Sequence, residues 1–122
     1  MAVEVEYGSE YRYRDPLLTP GTAVLAITQS GETVDTLAAM EHARANGSTV
    51  WSIVNSIGSQ AMRLADGFIP MNVGPEIGVA STKAFTAQLT VLSMIALTIA
   101  QKNGTISKQN LHSLLVEMEN IP

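Results

Sequence analysis

The stretch Thr22-Ala-Val-Leu-Ala-Ile-Thr-Gln-Ser-Gly-Glu-Thr33 sets an apolar run directly before a short turn that is rich in hydroxyl groups. Such a run, when a helix follows the turn, predicts a buried parallel strand of an α/β sheet. The turn then aims several backbone N–H groups at one point, where the helix dipole adds partial positive charge. Residues 28–33, called the first motif below, therefore predict a phosphate-binding turn at a strand end.

The first motif is rich in groups that bind an anion. It offers three hydroxyls, one amide and a glycine that lets the backbone approach a ligand without a Cβ; these are Thr28, Gln29, Ser30, Gly31 and Thr33. Glu32, at the start of the predicted helix, is expected to cap that helix. The alternative is an ordinary strand–helix connection in which Ser30 or Thr33 is only the N-cap.

A second turn of similar composition favours the binding site. Residues 74–83, called the second motif, read Gly-Pro-Glu-Ile-Gly-Val-Ala-Ser-Thr-Lys and precede a long predicted helix. Both motifs follow predicted parallel strands, and ligands of such sheets bind outside the carboxyl ends of the strands. Lys83 is either a phosphate or carboxylate ligand or a surface lysine. Glu76 is expected to order its own loop, with proton transfer as the lesser alternative.

The first motif, taken together with Glu76-Ile-Gly-Val-Ala-Ser-Thr-Lys-Ala-Phe85, resembles the sugar isomerase (SIS) domain family. The closer resemblance is to the isomerase half of the glutamine–fructose-6-phosphate aminotransferases, also called glucosamine-6-phosphate synthases. The segments Asp35-Thr-Leu-Ala38 and Ile53-Val-Asn-Ser-Ile-Gly-Ser59 fit the same family. The resemblance runs from about Val3 to about Asn103, and its second part is the more specific one.

This resemblance implies a three-layer α-β-α sandwich with a mainly parallel sheet. It also implies that the ligand is fructose 6-phosphate or glucosamine 6-phosphate and that no cofactor is needed. The parent reaction would convert fructose 6-phosphate and glutamine into glucosamine 6-phosphate and glutamate. Besides the first motif, the residues implied to contact the ligand are Val79, Ala80, Ser81 and Lys83, with Glu32 and Glu76 as further candidates.

Several parts of the family pattern have no counterpart in this sequence. There is no Cys-Gly-Thr-Ser loop, no nucleophilic cysteine and no second SIS domain with the acid–base residues; Thr28 stands where the family commonly has serine. We therefore expect residues 1–104 to be a SIS domain lacking its first strand and loop, and residues 105–122 to be a connecting helix. The chain alone is expected to be inactive, and no catalytic residue is identified in it.

Two other functions are also compatible with the sequence. One is a non-catalytic SIS module that senses a phosphosugar for a transcription regulator, for which a helix-turn-helix segment would be the sign; none is visible. The other is a folded half-domain that binds nothing.

Composition narrows the partners and the location. The 122 residues carry a formal net charge of -4, which argues against nucleic-acid binding because no basic stripe exists. The absence of cysteine excludes disulfides and thiolate zinc sites, and the two histidines, His42 and His112, lie on separate predicted helices, so we expect no metal site. The N-terminus lacks the basic and apolar regions of a signal peptide, which predicts a cytoplasmic protein.

The pattern of apolar and polar residues predicts four strands and five helices. Val3, Val5 and Tyr7 alternate with glutamates and predict a first strand. The other predicted elements are a helix at 9–13, a strand at 22–28, a helix at 33–46, a strand at 48–54, a helix at 59–65, a strand at 67–71, and helices at 84–101 and 107–120.

The helix predicted at 84–101 is apolar on nearly all its faces. A membrane span is disfavoured because polar residues such as Gln88 and Ser93 interrupt the run within a soluble α/β pattern. Its stripe at helical spacing consists of Phe85, Leu89, Leu92, Ala96 and Ile99. Since a small monomer rarely exposes such a face, we expect a homodimer.

Overall fold

The structure is a computed structural model that describes residues 2–14, 16, 18–78 and 81–121. Its elements, in chain order, are α1 (Gly8–Arg14), β1 (Ala23–Thr28), α2 (Val34–Ala45), β2 (Thr49–Val54), α3 (Gln60–Leu64), β3 (Gly67–Pro70), α4 (Lys83–Lys102) and α5 (Lys108–Glu119). The elements predicted from residue 9 onward are confirmed, with ends that differ by at most one residue.

The three strands form one parallel sheet in the order β1-β2-β3. Thr28 pairs with Val54 across β1 and β2, and Val54 pairs with Pro70 across β2 and β3, so all three carboxyl ends meet at one edge. The helices that link the strands give the alternation of an α/β domain. The predicted fold class, an α/β sandwich with a parallel sheet, is confirmed.

The core lies between one face of the sheet and helix α2. It is built around Ala26 and Val50 of the sheet and Leu37, Met40 and Ala43 of α2, all of which are buried. The small side chains of Ala26 and Ala43 allow the helix to approach the strands closely. Helix α3 packs beside α2 and β2, and α1 packs on the outside of α2. This packing fixes the strand ends and the loops that follow them.

The strand predicted at Val3–Tyr7 is wrong. Residues 2–7 form neither strand nor helix, and the side chains of Val3, Val5 and Tyr7 are 72%, 92% and 81% exposed. An alternating pattern shows only which residues share a face; a strand also needs a neighbour to accept its backbone hydrogen bonds. The described sheet contains β1, β2 and β3, and it provides no such neighbour for residues 2–7.

The expectation that β1 is a buried strand holds for only one of its two faces. Ala26 and Thr28 point toward the core and are buried, whereas Leu25 and Ile27 on the opposite face are exposed. Trp51, the register partner of Leu25 on β2, is exposed as well. The described residues therefore leave an apolar part of the sheet uncovered on the side away from α2.

The last two helices are mostly exposed. Among the described residues of α4 only Ala84 is buried, and α5 has no buried residue. An apolar groove of about 910 Å³ separates α4 from β3, between Ile69 and Met71 on one side and Val91 and Ile95 on the other. By length and composition, α4 is the one described helix long and apolar enough to cross a membrane. Core helices of soluble proteins meet the same two criteria, so these do not assign α4 to a bilayer.

Candidate functional site

The first motif forms a tight turn between the end of β1 and the start of α2. The buried hydroxyl of Thr28 accepts a hydrogen bond from the Gly31 N–H at 3.2 Å, and the Ser30 hydroxyl accepts one from the Glu32 N–H at 3.2 Å. A hydroxyl that accepts through a lone pair keeps its own hydrogen to donate. The turn is therefore built by its own side chains, and each of the two hydroxyls keeps its hydrogen for a further bond.

Gly31 packs directly against the start of α3. Its φ is 70°, and a Cβ at this position would lie 2.2 Å from the Ser59 hydroxyl oxygen. Its carbonyl oxygen accepts a hydrogen bond from the Ala61 N–H at 3.0 Å. The close approach and the left-handed backbone both require glycine here. The first motif is thus joined to the core through the loop that precedes α3.

Glu32 caps a different helix from the one predicted. Its Oε1 accepts a hydrogen bond from the Gln60 N–H at 2.8 Å, at the first residue of α3, rather than from α2. Thr33 occupies the N-cap position of α2 without a hydrogen bond from its side chain. The alternative that the Thr33 side chain only caps α2 is therefore wrong. Glu32 does cap a helix, but that helix is α3 and not α2 as expected.

Residues 55–59, called the central loop, join the two motifs. The backbone N–H groups of Asn55 and Ser56 donate to the Gln29 carbonyl oxygen at 3.1 and 3.2 Å. The side chain of Asn55 reaches the other way: its Nδ2 donates to the Gly74 carbonyl oxygen at 2.7 Å, and its Oδ1 accepts from the Val73 N–H at 3.2 Å. Asn55 thus contacts the chain on both sides of the site.

The second motif is ordered by Glu76, as expected. One carboxylate oxygen accepts hydrogen bonds from the Ala84 and Thr82 N–H groups at 3.1 and 3.3 Å, and the other accepts one from the Thr82 hydroxyl at 2.9 Å. These bonds stabilise the charged form and therefore lower the pKa of Glu76. The bond from the Ala84 N–H has the largest effect, and the bond from the Thr82 hydroxyl has the next largest. The carboxylate caps the N-terminus of α4 from within the same segment.

The two motifs meet at a polar cavity of about 590 Å³ at the carboxyl edge of the sheet. Gln29 of the first motif and Glu76 of the second both line it; the other lining residues are Asn55, Ser56, Asn72, Gly74 and Pro75. The sequence predicted Gln29 and Glu76 but missed Asn55, Ser56 and Asn72. For Asn55 and Ser56 the signal was their position directly after β2, where ligands of parallel sheets bind.

The other predicted site residues that the structure describes do not line this cavity. Ser30 and Thr33 lie on the turn of the first motif, and Ser81 is exposed just before α4. Lys83 is the first residue of α4, and its Nζ lies 3.9 Å from where a Cβ on Gly74 would be. Val79 and Ala80 lie outside the described residues. The described residues contain no group of acidic, histidine or cysteine side chains that would hold a metal ion.

Comparison with protein families gives the class of this chain. The model of the SIS domain matches residues 1–98. The chain belongs to the SIS domain family, and the resemblance drawn from the two motifs is confirmed.

Two relatives share one name. The chain is 52% identical over 98% of its length to a glutamine–fructose-6-phosphate aminotransferase [isomerizing] of Bacteroides thetaiotaomicron. It is 50% identical over 97% of its length to the enzyme of that name from Thermococcus kodakarensis. The chain spans about 20% of the length of each of these relatives.

A solved structure supports the fold over nearly the whole chain. It is the C-terminal domain of glucosamine-fructose-6-phosphate aminotransferase from Francisella tularensis, which is 37% identical and superposes with a TM-score of 0.88. The match covers 96% of this chain and 33% of that one.

Proposed function

We propose that this chain is the sugar-phosphate-binding part of the isomerase domain of a glutamine–fructose-6-phosphate aminotransferase. The observation that carries the proposal is the convergence of Gln29 and Glu76, one from each motif, on a single polar cavity. The names of the relatives supply the substrate class. The whole enzyme would convert fructose 6-phosphate and glutamine into glucosamine 6-phosphate and glutamate.

In this proposal the first motif binds the phosphate group. Hydroxyls, the Gln29 amide and backbone N–H groups at the start of α2 would donate to the phosphate oxygens; the residues are Thr28, Gln29, Ser30, Gly31 and Thr33. Each hydrogen bond to a charged group contributes about 1.5–3 kcal/mol. After ordering costs, four or five of them would give a dissociation constant in the micromolar-to-millimolar range.

The second motif is proposed to face the sugar. The residues proposed to contact the sugar are Val79, Ala80, Ser81 and Lys83. Glu32 and Glu76 are proposed to support the first and second motifs. We also propose that residues 1–104 form the SIS domain and that residues 105–122 form a connecting segment that contains α5. The location proposed is the cytoplasm, with no nucleic acid or membrane as partner.

The chain by itself is proposed to bind its ligand without converting it. Isomerisation needs a base within hydrogen-bond reach of the sugar protons. The two carboxylates near the site, Glu32 and Glu76, already accept hydrogen bonds from α3 and from the start of α4. We expect the purified chain to produce no glucose 6-phosphate from fructose 6-phosphate above a buffer blank; measurable turnover would contradict this assignment.

Calorimetric titration of the chain with fructose 6-phosphate tests the binding proposal. Fructose serves as the control ligand, because it has the same sugar without the phosphate. We expect saturable binding of fructose 6-phosphate at micromolar-to-millimolar concentration and none of fructose. Equal binding of both ligands would contradict phosphate recognition, and binding of neither would indicate a folded half-domain without this function.

A homodimer is the second part of the proposal. The accessible surface of the chain is 8373 Å², whereas a compact monomer of 13.0 kDa exposes about 6,300 Å². The excess of about 2,000 Å² is more than the roughly 800 Å² that each partner buries in a standard interface. Exposed Phe85 and Leu89 form an apolar stripe on α4 that a second copy would cover.

Sedimentation equilibrium at micromolar concentration tests the dimer. We expect twice the mass of the chain, and we expect Leu89→Glu to shift the equilibrium to the monomer. The control Gln109→Glu places the same charge on exposed α5 and should leave the dimer intact. A wild-type chain that sediments as a monomer would contradict the dimer and indicate that other parts of a longer polypeptide cover α4.

A further inference from the structure

Asn55 contacts both loops that the proposed ligand would touch. Its backbone N–H donates to the Gln29 carbonyl oxygen in the first motif at 3.1 Å. Its side-chain amide donates to the carbonyl oxygen of Gly74, the first residue of the second motif, at 2.7 Å, and accepts from the Val73 N–H at 3.2 Å. A single residue therefore links the two sides of the polar cavity that it also lines.

The segment that Asn55 contacts has little other support. Residues 72–78 form neither helix nor strand, and Asn72 has a φ of 56°, which is rare for a residue with a side chain. The bonds of Glu76 run forward to Thr82 and Ala84, within the same part of the chain. Within the described residues, the side chain of Asn55 makes both hydrogen bonds that join residues 72–78 to the central loop.

We infer that Asn55 is a positioning residue that sets the separation between the first and second motifs. The inference rests on the proposed function, in which one motif binds phosphate and the other faces the sugar. A ligand that carries both groups then depends on the separation, whereas inorganic phosphate depends on the first motif alone. Asn55 thereby favours a phosphorylated sugar over a free phosphate ion.

The two kinds of bond that Asn55 makes can be separated by mutation. Asn55→Ala removes the side-chain bonds to Val73 and Gly74 but keeps the backbone N–H that donates to Gln29. The second motif should lose its position while the first motif keeps its shape. Asn46→Ala is the matched control, because the Asn46 side chain also donates to a backbone carbonyl, that of His42 at 2.8 Å, at the distant end of α2.

Calorimetry on the full 122-residue chain gives the first readout. We expect Asn55→Ala to weaken fructose 6-phosphate binding about tenfold, which is about 1.4 kcal/mol, and to change the affinity for inorganic phosphate less than about twofold. Asn46→Ala should leave both affinities unchanged. If Asn55→Ala lowers both affinities by the same factor or neither, the positioning role is wrong.

Amide hydrogen exchange without ligand gives a second readout that does not depend on the proposed function. We expect exchange to become faster at Val73 and its neighbours up to residue 78 in Asn55→Ala, with Gly31 and Glu32 unchanged. Faster exchange throughout the chain would mean a general loss of stability and overturn the inference, as would no change at Val73. If Asn55→Ala does not fold, Asn55→Ser carries the same comparison.

If the wild-type chain binds neither fructose 6-phosphate nor phosphate, the proposed function fails while the exchange result still decides the role of Asn55. Faster exchange confined to residues 72–78 then supports a positioning residue for that loop, and uniform or unchanged exchange overturns it.

Discussion

The first and second motifs meet at one cavity, but they are held in place by different means. The first motif is anchored to the core by two of its residues: Thr28 and Gly31 are buried, and Gly31 packs against Ser59. The second motif is exposed, with Ile77 94% exposed, and is ordered by the side chains of Asn55 and Glu76. The shape of the first motif thus depends on packing, and that of the second on a few hydrogen bonds.

This difference has consequences for binding and stability. A motif built into the core is pre-organised, so little conformational entropy opposes ligand binding there. A motif fixed by a few exposed hydrogen bonds opens at lower free energy than the core does. Substitutions in the first motif should therefore lower the stability of the whole domain, whereas changes at Asn55 or Glu76 should act locally on the second motif.

The largest expected effect is on stability, at Gly31. Gly31→Ala combines a left-handed backbone, which costs about 1–2 kcal/mol, with overpacking against Ser59, which costs about 1–3 kcal/mol more. We expect the free energy of unfolding in urea to fall by about 2–5 kcal/mol. Gly47→Ala is the control: φ there is 81°, but no atom lies within 4 Å of the added Cβ, so the backbone effect of about 1–2 kcal/mol remains. Equal losses in the two variants would contradict the packing of the first motif on the core.

The next largest effect concerns the phosphate donors. The double variant Thr28→Ala with Ser30→Ala should weaken glucosamine 6-phosphate binding by about 2–4 kcal/mol, because two bonds to a charged group are lost. The double variant Ser93→Ala with Thr90→Ala removes one serine and one threonine hydroxyl from α4, and calorimetry should find its affinity unchanged. An unchanged affinity in the first variant would show that the first motif does not bind the phosphate.

The smallest effect is the dependence of the second motif on pH. The pKa of Glu76 is lowered in the folded chain, so the hydrogen bonds of its carboxylate contribute fully above the ordinary pKa of a glutamate. They are lost as the pH falls through the lower folded value. We expect the amide signals of Thr82 and Ala84 to titrate below the ordinary pKa of a glutamate, and Glu76→Gln to remove that titration.

The control for this titration is Glu41→Gln on the exposed side of α2. It should leave the titration of the Ala84 amide in place. An Ala84 signal that titrates equally in Glu76→Gln would mean that another group orders the start of α4.

The sequence predicted the elements well where the signals are local. Asn46-Gly47 ends α2, and Ser107 caps α5 by accepting from the Asn110 N–H, so the ends of these helices follow from neighbouring residues. The strand at Val3–Tyr7 failed because strand formation depends on a pairing partner, which the alternation of side chains does not reveal.

The candidate site shows the same limit. Gln29 and Glu76 were predicted because they belong to motifs with distinctive composition. Asn55 was missed because its role depends on Val73 and Gly74, which are 18 and 19 residues further along the chain. The cap that Glu32 provides for α3, 28 residues away, was assigned to the nearer helix for the same reason. Contacts between residues so far apart in sequence depend on how the whole domain folds, and local sequence signals do not predict them.

Amide chemical-shift mapping with glucosamine 6-phosphate tests most directly whether the two motifs form one site. We expect saturable shifts at amides of both motifs, residues 28–33 and 74–83, with a single dissociation constant, and smaller shifts in α5. Inorganic phosphate should shift the first motif alone. Shifts confined to one motif at saturating glucosamine 6-phosphate, or shifts that lie outside both, would contradict the account.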